Sequence, residues 1–247
     1  MTWDPEQYRR FQKEREEPFH DLLELIQVSY RMQILDIGCG DGKITAHLHH
    51  SLSPCDTWGI DASPEMIKEA SQIKEEGLSF SQLPFEDLPT DKQYDLIFSN
   101  ACLQWIPNHP KVFAKLARML TNRGQLAIQI PSNFHYPTHT IAAELAQEKA
   151  YQTSTLGLED YAQLLYDLGF QKQVVRLQVY SHVLPSTESL LEWVKGSLLS
   201  YYRSVMMREQ YDEFLIVYRE RLLRALGKHA PFFFPMKRML IWAQKEH

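Results

Sequence analysis

The segment Asp36-Ile37-Gly38-Cys39-Gly40-Asp41-Gly42 constrains this chain more than any other. It closes a short apolar run, residues 33–37, that reads as a strand, and a helical pattern over about residues 43–50 follows it. Glycines let the backbone turn sharply there and approach a ligand where a Cβ would collide. The N–H groups opening the next helix then point at that ligand. Strand, glycine turn and helix in this order predict an α/β fold with its ligand at the strand's C-terminal end.

A dinucleotide site is the first competitor, but its G-x-G-x-x-G spacing fails. Position 43 is Lys, and the third glycine comes one residue early. Asp36 would also set a carboxylate against phosphate, whereas it suits a cationic ligand. Asp61 ends a second expected strand, residues 57–60, and a carboxylate there accepts hydrogen bonds from ribose hydroxyls.

The spacing along the chain supports the same architecture. Ser63-Pro64 starts a helix that runs to about residue 75 and stops near Gly77. A strand is expected over 94–99, a helix over 110–120 closed by Thr121-Asn122-Arg123-Gly124, and a strand over 125–130 ended by Pro131. Beyond it come helices over about 138–150 and 159–168. Val175, Leu177, Val179 and Val183 then alternate with mostly polar neighbours as in a half-exposed strand. A helical stretch over 186–226, interrupted near 196–204, leads to a last strand over 237–243, with Phe232-Phe233-Phe234 read as core. The first 30 residues look helical, with Tyr8, Phe11 and Arg15 about one turn apart. Pro18 is expected to open a second helix carrying Leu22, Leu23, Leu25 and Ile26.

The expectation is one domain over residues 1–247. A helical lid (1–30) and a ligand-binding core (31–131) are followed by a helical cap (132–247) inserted around the last two strands. The sheet is Rossmann-like, mostly parallel and seven-stranded, with helices on both faces.

A net charge of −5 without a basic run argues against nucleic acid. Three scattered cysteines form no disulfide framework and fit a reducing compartment. The charged N-terminus lacks a signal-peptide core, and no apolar run is long enough to span a membrane. The expected location is the cytoplasm.

On the stretch from Gln33 to Ile130 the sequence resembles class I S-adenosylmethionine-dependent methyltransferases. The resemblance implies S-adenosylmethionine as cofactor. It puts Asp36, Gly38 and Gly40 along the methionine end, Asp61 on the ribose and Met66 on the adenine. Phe85 and Glu86 fall in the adenine loop, and Asn100 faces the methionine moiety. In one departure, Pro84 stands where the family usually has Asp before that loop.

Ser99-Asn100-Ala101-Cys102-Leu103-Gln104-Trp105-Ile106-Pro107-Asn108-His109 and Pro131-Ser132-Asn133-Phe134-His135-Tyr136-Pro137-Thr138-His139 are similar to trans-aconitate methyltransferases. That family esterifies a carboxylate of a small acid. The resemblance implies Trp105, His139, Arg15, Asn133 and Tyr201 as acceptor contacts, and a small-molecule carboxylic acid as partner. Two family arginines are replaced, by Glu17 and by Ser200 in Leu199-Ser200-Tyr201-Tyr202, although Arg203 lies close by. The change favours an acid less charged than a tricarboxylate.

A carboxylate is ionised at neutral pH and needs no general base. No catalytic triad and no metal site is expected, and the cluster His47, His49 and His50 lacks ligand partners at suitable spacing. His109 is expected to cap a helix. Two alternatives stay open: a hydroxyl, amine or thiol acceptor with His139 as base, and a cofactor-binding regulatory or assembly protein without catalysis.

Overall fold

The computed structural model describes residues 12–147 and 153–246. Tyr8 and Phe11 lie outside the described residues. The chain begins with α1 (Gln12–Leu23) and then alternates: β1 (Gln33–Ile37), α2 (Lys43–Leu52), β2 (Asp56–Asp61), α3 (Pro64–Ala70), β3 (Leu78–Gln82), β4 (Tyr94–Asn100), α4 (His109–Arg118) and β5 (Leu120–Pro131). Next come α5 (Pro137–Ala146), α6 (Leu158–Asp167), β6 (Lys172–Leu184), α7 (Thr187–Lys195), α8 (Leu198–Val205), α9 (Arg208–Leu226) and β7 (Phe232–Gln244).

Seven strands form one sheet in the order β3-β2-β1-β4-β5-β7-β6. The β1–β2, β1–β4, β2–β3 and β4–β5 pairs are parallel, and β5–β7 is antiparallel. The Rossmann-like, mostly parallel architecture expected from the sequence is therefore present. β1 and β4 are near-continuous apolar runs because both of their faces are covered. Ile34, Leu96, Phe98, Ala127, Leu240 and Trp242 pack with Phe19, Leu22 and Ile26 on one face. Leu35, Ile37, Ile97, Ile128 and Ile241 pack with Phe113, Leu116, Tyr161 and Leu165 on the other.

The chain divides into two compact units. One comprises Glu16–Pro131, Ser154–Gln178 and the chain from Arg238 onward, and it carries the glycine loop. The other contains Ser132–Thr153 and Val179–Lys237, with residues 12–15 of α1. Its core is aromatic and aliphatic: Tyr180, Trp193, Tyr202, Phe214, Tyr218 and Phe234 are buried together, and α9 packs on α5.

Several local expectations need correction. α1 runs through Pro18 instead of restarting there. α3 stops at Ala70, where the bonds shorten to i→i−3 from Gln72 to Glu69 and from Ile73 to Ala70. β3 had no strong sequence signal because it is short and largely half-exposed. The segment expected as a break near 196–204 is mostly helix α8, and the breaks are at Gly196–Ser197 and Met206–Met207. In β6 the alternation points the other way beyond Arg176. Tyr180, His182 and Leu184 are buried, while Leu177, Val179 and Val183 are exposed. Strand alternation also exposes Phe233 between buried Phe232 and Phe234.

Candidate active site

The glycine loop is built by backbone bonds between β1 and β2. Gly38 and Cys39 N–H both donate to the Ile60 carbonyl, at 2.8 and 3.0 Å. Gly38 and Gly40 have φ values of 79° and 56°, which L-residues with side chains rarely adopt. Their surroundings differ. A Cβ on Gly38 would lie 2.3 Å from Cys102 Cβ, whereas one on Gly40 would meet nothing within 4 Å. Gly38 lets the loop close onto the segment after β4, and Gly40 leaves open space for a ligand.

Two carboxylates flank this space. Asp61 Oδ2 accepts from Gly40 N–H at 3.0 Å, and its Oδ1 accepts from Ser63 N–H at 2.8 Å. Each oxygen keeps a second lone pair. Burial raises the Asp61 pKa, and backbone bonds from Ser63, Gly40 and Ala62 oppose that rise. Asp36 is buried and accepts from the Thr45 hydroxyl at 2.6 Å. Burial lifts its pKa to about 7; Thr45 lowers it and the Asp61 charge adds to the rise. Burial first, then these carboxylates, push the Cys39 and Cys102 thiols up, so neither is a ready thiolate. A loop flanked by a buried and a half-buried acid is short of positive charge and fits a cationic ligand.

Further residues surround the loop within the same unit. Met66 is buried on α3, whose start is capped by Ser63 accepting from Met66 N–H. Phe85 and Glu86 form a 3-10 turn that Lys115 of α4 holds. Its ammonium donates to the Phe85 and Glu86 carbonyls at 2.9 and 3.3 Å and lies 4.7 Å from the Phe85 ring centroid. Sequence reasoning missed Lys115, because the contact joins residues 30 apart and leaves no local pattern. It missed Thr45 as well.

Asn100 ends β4 with a buried Oδ1 that has no hydrogen-bond partner. Trp105 is half-buried at the end of the 3-10 turn Leu103–Trp105, and its backbone N–H donates to Cys102 at 3.0 Å. His109 does not act as the cap expected for it; Asn108 is the cap, accepting from Lys111 N–H. His109 is fully buried instead, its Nδ1 bonded to the Tyr161 hydroxyl and its Nε2 3.0 Å from the Leu103 carbonyl. Burial lowers its pKa.

The other unit holds Asn133, His139 and Tyr201. Asn133 accepts from Lys237 N–H at 2.6 Å and donates to the Pro235 carbonyl at 3.2 Å. These bonds brace β7 and leave the amide one N–H and one oxygen lone pair. His139 lies in the first turn of α5, with Nδ1 3.1 Å from the Thr138 hydroxyl and its ring edge-on to Phe134. Burial depresses its pKa to about 4. Tyr201 packs edge-on to Tyr202. Ser200 is buried and donates to the Ser197 carbonyl, and Glu17 is exposed. The Arg15 side chain lies outside the described residues.

Residues 29–182 match the methyltransferase-domain family. The chain belongs to the S-adenosylmethionine-dependent methyltransferases. A trans-aconitate 2-methyltransferase of Deinococcus radiodurans is 35% identical to this methyltransferase over 237 residues, covering 90% of each chain. One from Acidovorax ebreus is 32% identical and covers 98% of each. Solved structures agree in fold. The YcgJ protein of Bacillus subtilis superimposes with a TM-score of 0.64 at 16% identity, covering 93% of this chain and 98% of that one. Haemonchus contortus phosphoethanolamine N-methyltransferase 2 in complex with S-adenosyl-L-methionine gives 0.60 at 16% identity, covering 93% of this chain and 52% of that one. S-adenosylmethionine is the cofactor of this methyltransferase. The open face of Gly40, the carboxyls of Asp36 and Asp61 and the orphaned Asn100 oxygen fit it.

Proposed function

We propose that the methyltransferase esterifies a carboxylate of a small or medium-length organic acid. The carrying observation is that neither His109, after β4, nor His139, after β5, is built as a base. His109 has both ring nitrogens engaged, and His139 is half-buried, with desolvation depressing its pKa to about 4. A base that weak suits an acceptor that arrives already ionised. The names of the trans-aconitate 2-methyltransferase relatives favour the same acceptor class.

In this reading Gly38 and Gly40 shape the cofactor cradle, Asp36 lies beneath it where a cationic ligand would favour its ionised form, and Asp61 meets the ribose hydroxyls. Met66, Phe85 and Glu86 flank the adenine, with Lys115 fixing the turn that carries the last two. Asn100 meets the methionine end. When bound, the cofactor supplies a sulfonium methyl as the transferable group. The chain's contribution is alignment and the exclusion of water, and alignment alone is worth about 7–11 kcal/mol in well-oriented reactions. Trp105 orients the acceptor carboxylate through its indole N–H; the family resemblance adds His139, Tyr201 and Arg15 as acceptor contacts.

The test is a screen of organic and fatty acids with methyl-labelled cofactor, followed by alkaline release of methanol, which marks an ester. Label transferred only to alcohols, amines or thiols would overturn the proposal. Because Glu17 and Ser200 replace two family arginines, monoacids should outperform trans-aconitate. A specificity constant for trans-aconitate above that of every monoacid tested would overturn that part.

A further inference from the structure

We propose that Gln129, side by side with Asn100, binds the α-amino-acid end of S-adenosylmethionine. The inference rests on the cofactor assignment above and extends it to a residue on β5. Asn100 and Gln129 are direct register partners on parallel β4 and β5, at their C-terminal ends. Partners in register present their side chains to the same sheet face. Asp36 shares that face, because it pairs with Phe98, two residues before Asn100.

β5 carries two buried glutamines on this face, and the fold treats them differently. Gln125 is 3% exposed and is bonded through both its amide oxygen and its amide nitrogen. Its Oε1 accepts from Gln27 N–H at 2.8 Å and from the Trp242 indole at 2.9 Å, and its Nε2 donates to the Gln27 carbonyl at 2.7 Å. Gln129 is 1% exposed, yet its Nε2 has no partner, and neither has the neighbouring Asn100 Oδ1. An unbonded buried amide atom costs stability that an apolar residue of similar size would not. Gln129 is therefore placed for a ligand, not for the sheet.

The two orphaned atoms define that ligand. Gln129 Nε2 requires an acceptor and Asn100 Oδ1 requires a donor, on adjacent strands. A carboxylate beside an ammonium satisfies both, and the cofactor carries that zwitterion at its methionine end. A carboxylic acid acceptor would satisfy Gln129 alone and turn lone pairs toward Asn100 Oδ1.

Calorimetry should compare S-adenosylhomocysteine with 5′-methylthioadenosine, which lacks the amino-acid end, on the full chain and on Gln129→Leu. The variant should bind S-adenosylhomocysteine about 10- to 100-fold more weakly, the effect of losing a hydrogen bond to a charged group. Its affinity for 5′-methylthioadenosine should stay unchanged, and its thermal midpoint without ligand should be equal or higher. If Gln129→Leu does not fold, Gln129→Met serves as the second variant. Unchanged affinity for S-adenosylhomocysteine, or an equal loss for both ligands, would overturn the inference. A native protein that binds neither ligand would overturn the cofactor assignment itself.

Discussion

Asp61 binds through charge. Asp61→Ala removes charge-assisted bonds to ribose and should weaken cofactor binding by about 1.5–3 kcal/mol in calorimetry. It also frees the Gly40 and Ser63 N–H groups, so a fall in thermal midpoint should accompany the loss. Asp36 should show in the pH dependence of stability. Its folded pKa of about 7 lies above the ordinary value of 3.8, so the native state holds the proton more tightly. The stabilisation from that proton is complete below about pH 4 and is lost as pH rises to about 7. The thermal midpoint of Asp36→Asn relative to the native enzyme should therefore climb across this window; a flat difference would refute the assignment. At Gly38 the structure changes an expectation drawn from the motif. Any Cβ there strikes Cys102, and φ is 79°. Gly38→Ala should destabilise the fold itself, through strain and overpacking of about 1–3 kcal/mol each.

Elements reach their positions through a few buried polar ties. α4 is tied to α6 by the bond from His109 to Tyr161. Tyr161→Phe leaves a buried ring nitrogen unbonded and should cost about 1–3 kcal/mol in urea unfolding, with little change in cofactor affinity. α4 also carries Lys115, which holds the 3-10 turn of Phe85 and Glu86. Lys115→Met should loosen that turn and weaken cofactor binding while the unfolding midpoint changes little. An unchanged affinity would detach the turn from the cofactor site. The glycine loop, β1, β2, β4 and α2 were legible because strand period, glycine and helix start coincide there. β6 misled because its apolar alternation continues on the exposed face, and only the aromatic cluster around Tyr180 and Trp193 decides which face turns inward.

For the enzyme as a whole, a carboxylate acceptor makes the rate a matter of orientation. Trp105→Phe should lose about 1–3 kcal/mol in turnover or acceptor affinity, with cofactor affinity little changed. His139→Ala should fall far short of the roughly 10²–10⁴-fold loss that follows removal of a general base. The pH–rate profile should stay flat from about pH 6 to 8. A profile rising through the histidine range, together with an inactive but folded His139→Ala, would favour a hydroxyl or amine acceptor.

The parallel α/β core, the cofactor loop and its acids can be read along the chain, because they depend on local period, on glycine and on charge at strand ends. The chain also carries the class of the enzyme, through the motif from Asp36 to Gly42 and the segment after β4. Tertiary structure alone decided which polar residues are spent on the fold and which are left for a ligand. Asn133, Ser200 and His109 look functional in the chain, yet their hydrogen bonds are made within the fold. Gln125 and Gln129 are four residues apart and chemically identical. Only the tertiary fold, by bringing Gln27 of the loop after α1 and Trp242 of β7 to one and nothing to the Nε2 of the other, distinguishes a brace from a binding residue.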